Sequence, residues 1–286
     1  MRVGFIGVGA MGLAMAGHVR KAGHTVWATD VDPAALSAAR EAGLEVSETL
    51  EGVARQAEVF VVVVATDAQS RTVTEGLLEA GVAGSVIAIA ATNHPNTMIA
   101  LHAACAAKGV GFIDAPVVYG MQGAKNGNLG TLCGGEATHV DRMRPVLGAY
   151  SRFVEHVGGI GAGQLAKTCN NMLHWAACVA NYEVLLLAKR YGVDAQRMRE
   201  ILLQCPGKNI TLERWDTTKF TWHEKDMDVA LELAQAGDLA LPLFGQVDQL
   251  VKMLGPAQVR DLLHGPSARY LGQEIVPLDR SSGGLS

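Results

Sequence analysis

A chain of 286 residues is long enough for two domains, on a prior of roughly 150 residues each. Apolar residues make up 49% of it, enough to bury a parallel sheet on both faces, while a formal charge of −4 supplies no basic field for nucleic acid or an anionic membrane. No apolar run approaches the roughly eighteen residues that a membrane span needs. Five scattered cysteines, at 105, 133, 169, 178 and 205, stand outside any C-x-x-C arrangement and read as reduced thiols with no metal site, which points to the cytoplasm. The opening residues have the outline of a signal peptide, but glycines at 4, 7, 9 and 12 interrupt its apolar segment, so export is not expected.

The first thirty residues organise the chain. An apolar run from Val3 to Ile6 leads into Gly7, Gly9 and Gly12, an alanine-rich helical pattern spans Met11 to Ala22, and a second apolar run follows at Thr25 to Ala28. This is a βαβ unit with G-x-G-x-x-G spacing at its first turn. Gly7 permits the tight turn, Gly9 admits a pyrophosphate, and Gly12 lets helix and strand pack closely. Ala10 and Met11 lie in the helix N-terminus that faces the phosphates. Asp30, at the end of the second strand, is placed to bind ribose hydroxyls. Val31 follows it, with no arginine to receive a 2′-phosphate, so NAD is expected rather than NADP.

Val31-Asp-Pro is a turn into a helix over 34–42, and 43–46 reads as a short third strand. The β-branched run from Val59 to Val64 reads as a strand buried on both faces. Val64 and Ala65 lie at its carboxyl end, where an open α/β sheet holds its ligand. A strand from Ser85 to Ala90 delivers Thr92 to the same edge, and His94 reads as a loop residue with no acid partner. A helix is expected over 96–108. The strand beginning at Val110 runs into a glycine-rich segment over 114–135, which suggests backbone close to a ligand, or else a flexible hairpin.

Beyond 158–163, itself glycine-rich, strands give way to helical period at 164–191, 194–204, 225–236, 243–254 and 256–263. The fold expected is α/β: an N-terminal Rossmann dinucleotide-binding domain over 1–162, followed by an all-α C-terminal domain over 163–286 for substrate and dimerisation. A 28-residue helix, about 40 Å long, can serve as the spine of the second domain and as a dimer contact. The tail 281–286 is expected to be mobile. Lys167, Asn171, His174 and Cys178 form one stripe on the long helix. A lysine on such a helix is usually only solvated. This stripe, however, emerges from a glycine hinge at a domain boundary, where ligand clefts are favoured.

Gly7-Val-Gly-Ala-Met-Gly12-Leu-Ala-Met-Ala16, Asp114-Ala-Pro-Val117 with Gly123-Ala124 and Gly130-Thr-Leu132, Gly161-Ala-Gly-Gln-Leu-Ala-Lys167-Thr-Cys-Asn-Asn171, and Lys225-Asp226 occur in that order. In these motifs the chain resembles the β-hydroxyacid dehydrogenase family, which includes 3-hydroxyisobutyrate dehydrogenase, tartronate semialdehyde reductase and the 6-phosphogluconate dehydrogenases. The resemblance implies an NAD-dependent oxidoreductase and makes Lys167 the catalytic acid–base group. Asn171 would hydrogen-bond the substrate, and Lys225 would approach both nicotinamide and substrate. Val64, Ala65 and Thr92 match cofactor-contact positions. The partners implied are a small alcohol or β-hydroxy acid and further copies of the chain, in a homodimer or homotetramer.

The family's loop reads Asp-Ala-Pro-Val-Ser-Gly-Gly, and here Val118 and Tyr119 stand for the serine and first glycine, with Gly120 retained. Valine offers no hydroxyl to a carboxylate, and Tyr119 adds an aromatic face. His174, where relatives tend to be apolar, is a further departure. These changes suggest a larger, aromatic or less acidic substrate. An imine reductase, which shares the architecture but generally lacks the lysine, and a catalytically silent NAD-binding module are the alternatives.

Overall fold

Short β-branched runs form the strands of the first part of the chain, and alanine-rich segments between them form its helices. The computed structural model describes residues 1–279 and divides into two compact units, one spanning Met1–Lys167 and the other starting at Thr168. The tail expected at 281–286 lies outside the described residues.

The first unit runs β1 (Arg2–Ile6), α1 (Ala10–Lys21), β2 (Thr25–Thr29), α2 (Pro33–Glu41), β3 (Glu45–Val46), α3 (Leu50–Ala54), β4 (Val59–Val62), α4 (Asp67–Glu79), β5 (Val86–Ile89), α5 (Pro95–Ala106) and β6 (Gly111–Asp114). It continues through β7 (Val117–Val118), α6 (Gly120–Lys125), β8 (Leu129–Gly135), α7 (Ala137–Gly148) and β9 (Ser151–Gly158). The sheet order is β3-β2-β1-β4-β5-β6-β8-β7, with β9 also paired to β8. Strands β1 to β6 are parallel, whereas β8 runs antiparallel to β6 and β7. Alternation along each strand supplies both faces. Val59 and Val61 of β4 join a core with Phe5, Ala88 and Ile113, and Phe60 and Val62 join another with Ile6, Ile89 and Phe112. Double-sided burial is why β4 reads as an unbroken apolar run.

Helix α8 (Ala162–Arg190) begins in the first unit, and the chain divides within its second turn. The second unit then holds α9 (Ala195–Leu202), α10 (Ile210–Glu213), a 3₁₀ turn (Trp215–Thr217), α11 (His223–Ala236), α12 (Pro242–Val251) and α13 (Pro256–His264). A two-stranded antiparallel hairpin, β10 (Ala268–Tyr270) and β11 (Gln273–Ile275), follows. Its three-residue strands are too short to show an alternating pattern, so helical period alone did not reveal them. Trp175, Cys178, Tyr182 and Leu185 on α8 pack in this unit's core with Trp215, Phe220, Met227 and Leu262.

Burial pushes the thiols of Cys105, Cys133 and Cys178 up to about 12, whereas Cys169 is exposed. A raised thiol stays protonated and unreactive at about pH 8. Native protein treated with a thiol reagent at that pH is therefore expected to label at Cys169 and to label at the three buried sites only after unfolding. Fast modification of Cys105, seen by peptide mapping, would contradict this packing.

Candidate active site

The sheet order places β2 and β3 on one side of β1, and β4, β5 and β6 on the other. The carboxyl ends of β1 and β4 therefore flank a topological switch point, where an open α/β sheet leaves a crevice. Gly7 leaves β1 with φ +90, and a Cβ there would collide with the Val63 carbonyl oxygen beyond β4. A Cβ on Gly12 would strike the Gly7 carbonyl oxygen. Both glycines are demanded by the protein's own backbone. Gly9 differs: it precedes α1 with φ −60, and a Cβ there would meet nothing within 4 Å.

Gly9 thus faces open space at a helix N-terminus whose first N–H groups lack intrahelical partners. The first turn carries no acidic side chain to neutralise the dipole. Exposed Ala10 and half-buried Met11 complete it. This cradle fits a pyrophosphate. Beside it, Asp30 Oδ2 accepts the Val8 N–H at 2.7 Å and Oδ1 accepts the Asp32 N–H at 3.0 Å. Each oxygen retains a second lone pair for a hydroxyl donor. Val31, which comes next, is exposed.

Beyond β4, Val64 is half-buried and Ala65 exposed. The N–H groups of Ala65 and Thr66 donate to Gln69 Oε1 in a capping box that starts α4. The loop after β5 presents half-buried Thr92, bracketed by the buried carboxamide of Gln164. Gln164 Nε2 donates to the Ala91 carbonyl at 2.8 Å, and its Oε1 accepts the Asn93 N–H at 3.0 Å. Asp67 accepts from Asn93 Nδ2 and from the His94 N–H, both at 3.0 Å, and Ser70 Oγ donates to Asn93 Oδ1 at 2.9 Å. His94, expected to have no acid nearby, therefore lies beside Asp67. Its Nδ1 accepts the Asn96 N–H and caps α5.

The Gln164 N–H donates in turn to Asp114 Oδ2, and the Gly161 N–H to Asp114 Oδ1, each at 2.7 Å. Asp114 ends β6 with no exposed surface. Burial raises its carboxyl above the usual carboxylate range, and the amides of Gly161, Gln164 and Gly163 oppose that shift. Lys167, half-buried, follows Gln164 by three residues on α8.

Neighbouring glycines make room for this contact. A Cβ on Gly134 would strike Asp114 Oδ1, and a Cβ on Gly163 would strike the Leu132 carbonyl oxygen. A Cβ on Gly130 would meet the Phe153 ring. The expectation that glycines of the 114–135 segment face a ligand is corrected at Gly130 and Gly134, where protein atoms fill the space. Asp67, Asn93, Asp114 and Gln164 were not among the expected site residues. Asp114 and Gln164 carried one sequence signal, an acid at a strand's carboxyl end together with a Gly-x-Gly that opens a helix.

In the expected substrate loop, Val118 is buried in β7 and Gly120 is exposed. Tyr119 has φ 80 and Gly120 φ 56, so two successive left-handed residues start α6. Tyr119 therefore holds, at a cost of about 1–2 kcal/mol, a conformation that glycine adopts freely. Its ring lies edge-on to Phe153, with centroids 6.4 Å apart, and the Arg152 guanidinium sits 5.6 Å from its centroid.

In the second unit, Asn171 is buried and its Oδ1 accepts from Asn170 Nδ2 at 3.1 Å. Lys225 is half-buried in the first turn of α11. The next residue, Asp226, accepts the Trp175 indole N–H at 3.0 Å, which ties the start of α11 to α8. His174, expected to reach substrate, has both ring nitrogens engaged within this unit. Nδ1 lies 2.9 Å from Thr211 Oγ1 and Nε2 lies 4.0 Å from Cys178 Sγ. Its ring also lies against Trp175, tilted by 55° with centroids 4.6 Å apart. Among the described residues, no group of three or more His, Cys, Asp or Glu could hold a metal ion, and no helix is long and apolar enough to cross a membrane.

Comparison with known proteins matches the chain to two family models in succession. Residues 2–159 match the family model for the NAD binding domain of 6-phosphogluconate dehydrogenase. Residues 161–264 match that for the NAD-binding region of NADP-dependent 3-hydroxyisobutyrate dehydrogenase. A 3-hydroxyisobutyrate dehydrogenase from Pseudomonas aeruginosa is 33% identical over 84% of this chain and 88% of its own. A 2-(hydroxymethyl)glutarate dehydrogenase from Eubacterium barkeri is 29% identical over 87% and 88%. The solved structure of Mycobacterium tuberculosis 3-hydroxyisobutyrate dehydrogenase with L-serine superposes with a TM-score of 0.83 at 25% identity, covering 92% of this chain and 99% of that one.

The three glycines should respond differently to a methyl group. Gly12→Ala forces a backbone collision, so it is expected to lower stability by about 1–3 kcal/mol, read as a drop in Tm. Gly9→Ala is expected to leave Tm almost unchanged and to weaken dinucleotide binding by about tenfold or more, since a methyl group there obstructs the pyrophosphate's approach to the backbone. Titration of both variants with NAD checks this, and undiminished binding by Gly9→Ala would contradict the cradle.

Proposed function

The chain belongs to the β-hydroxyacid dehydrogenase family, NAD(P)-dependent oxidoreductases acting on CH–OH groups, and from that premise we propose an NAD-dependent enzyme that interconverts a β-hydroxy acid or related alcohol with its carbonyl counterpart. The observation that carries the cofactor reading is the open face of Gly9, set between two glycines locked by backbone, with Asp30 held alongside. A carboxylate at that position accepts ribose hydroxyls and repels a 2′-phosphate, which favours NAD over NADP. Residues 1–162 are assigned to the cofactor, and residues 163–286 to substrate and to contacts between copies of the chain.

Bound NAD supplies the hydride acceptor, the nicotinamide C4. Lys167, as the neutral amine, takes the proton of the substrate hydroxyl while the C–H electron pair departs with its hydrogen, so that C–O becomes C=O and the lysine becomes an ammonium. In reduction it returns that proton to the forming alkoxide. By the family resemblance Asn171 is assigned to hydrogen-bond the substrate, and Lys225 to offer it a cation. Ala10, Met11, Val64, Ala65 and Thr92 would line the bound cofactor. His174 is assigned to packing of the helical unit, because Thr211 and Cys178 occupy its nitrogens.

The relatives named for 3-hydroxyisobutyrate and 2-(hydroxymethyl)glutarate, and the L-serine in the solved relative, all point to a hydroxyl on the carbon β to a carboxylate. Within that class, Val118 and Tyr119 favour a larger or less acidic substrate. Val118 removes a hydroxyl donor, and the left-handed backbone retained at Tyr119 is the kind of local cost that persists where a side chain serves function. Imine reductases share the fold at 14–18% identity, and the presence of Lys167 argues against that chemistry.

Lys167→Ala is expected to lower kcat by about 10²–10⁴-fold while the Kd for NAD stays near that of the parent; wild-type turnover should be faster with NAD than with NADP. Full turnover by the variant would overturn the acid–base assignment, and NAD binding with no turnover of any hydroxy acid by the parent would favour a silent module. Val118→Ser combined with Tyr119→Gly should restore a carboxylate contact worth about 1.5–3 kcal/mol, raising kcat/KM for 3-hydroxyisobutyrate about tenfold or more. An unchanged substrate profile would count against the role given to those two positions.

A further inference from the structure

We propose that Gln164 and Asp114 are positioning residues: a buried clasp that registers the start of α8, and with it Lys167, against the loop that presents Thr92. The inference rests on the reading of Lys167 as the acid–base group. It goes beyond that reading by naming what sets the lysine's position.

The geometry is continuous from strand to strand. Asp114, at the end of β6, accepts the N–H groups of Gly161 and Gln164 through its two oxygens, each at 2.7 Å. A carboxylate at a helix N-terminus satisfies unpartnered amides and aligns with the helix dipole. The side chain of Gln164 then turns to the neighbouring strand's loop and pairs with Ala91 and Asn93 as a backbone segment would, donating to one carbonyl and accepting one N–H. Thr92 is the residue enclosed by that pair. Both clasp residues have no exposed surface, so none of these bonds can be exchanged for water without cost.

Close approach makes this tie possible. Gly163 and Gly134 allow the helix to approach close enough for the carboxylate to reach, since a Cβ on either would strike it or the backbone opposite. The loop is also braced from its far side by Asp67 and Ser70 through Asn93. It therefore offers Gln164 a fixed reference. Rotation or axial slip of α8 would break Gln164's two bonds together, and would move Lys167, three residues on, in the same sense.

Two variants of Gln164 test the clasp in full-length enzyme, assayed with NAD and 3-hydroxyisobutyrate or the best alcohol substrate found. Gln164→Met keeps the volume and removes both bonds; a displacement near 1 Å at a reacting group costs about 10²-fold, so kcat is expected to fall by about 10- to 100-fold. In a Lys167→Ala background the same change should cost no more than about twofold, because the group it positions is gone. Equal losses in both backgrounds would overturn the clasp and make Gln164 merely structural. Near-parent kcat in Lys167→Ala alone would instead sink the acid–base reading.

Gln164→Glu covers the case in which the methionine variant does not fold. Glutamate keeps the acceptor for the Asn93 N–H, but it can donate to the Ala91 carbonyl only when protonated. The ratio of variant to parent kcat should therefore rise towards one as pH falls. A ratio that is flat with pH would contradict the clasp, since general destabilisation would not track the protonation of one introduced carboxyl.

Discussion

A carboxylate buried where β6 ends fixes the first turn of the chain's longest helix, and the chemistry proposed for Lys167 depends on that contact. A charge without exposed surface is costly unless its lone pairs are filled. Asp114 meets that condition with backbone amides, which cannot be lost to side-chain substitution and which sit at the favourable end of a helix dipole. The consequence is a first helical turn held against the end of β6. Gln164 extends the same constraint to the loop beyond β5.

The glycines divide according to what crowds them. Gly7 and Gly12 are pressed by backbone at the switch point of the sheet, and Gly134 and Gly163 by the buried carboxylate and its surroundings. Only Gly9 of the dinucleotide loop opens on unfilled space, and it is the position from which a pyrophosphate meets backbone in a fold of this topology. Tyr119 is the converse case. It occupies a backbone conformation suited to glycine, at the position where the family loop has glycine, and its ring meets Phe153 edge-on and Arg152 over its face.

What was legible in the sequence was mostly local. The βαβ unit and its glycine loop announce themselves within thirty residues, and the two-sided burial of β4 shows as four consecutive apolar residues. Helical period located the long helices of the second unit. The clasp was not legible because its bonds join residues 47 to 73 positions apart and depend on the register of β5, β6 and α8 together. The same reason misled the reading of Gly130 and Gly134: spacing reveals that a backbone must be approached closely, but not whether a ligand, a ring or a carboxylate does the approaching. His174 shared a helical stripe with Lys167, and only the packing of the second unit reveals that Thr211 and Cys178 claim its nitrogens.

One amine, that of Lys167, carries the proposed chemistry. A crystal structure with NAD and a hydroxy acid bound would measure it directly. The result predicted is Lys167 Nζ within hydrogen-bond reach, about 3 Å, of the hydroxyl on the carbon that faces the nicotinamide C4. An amine turned into bulk water, with another side chain at that hydroxyl, would contradict it.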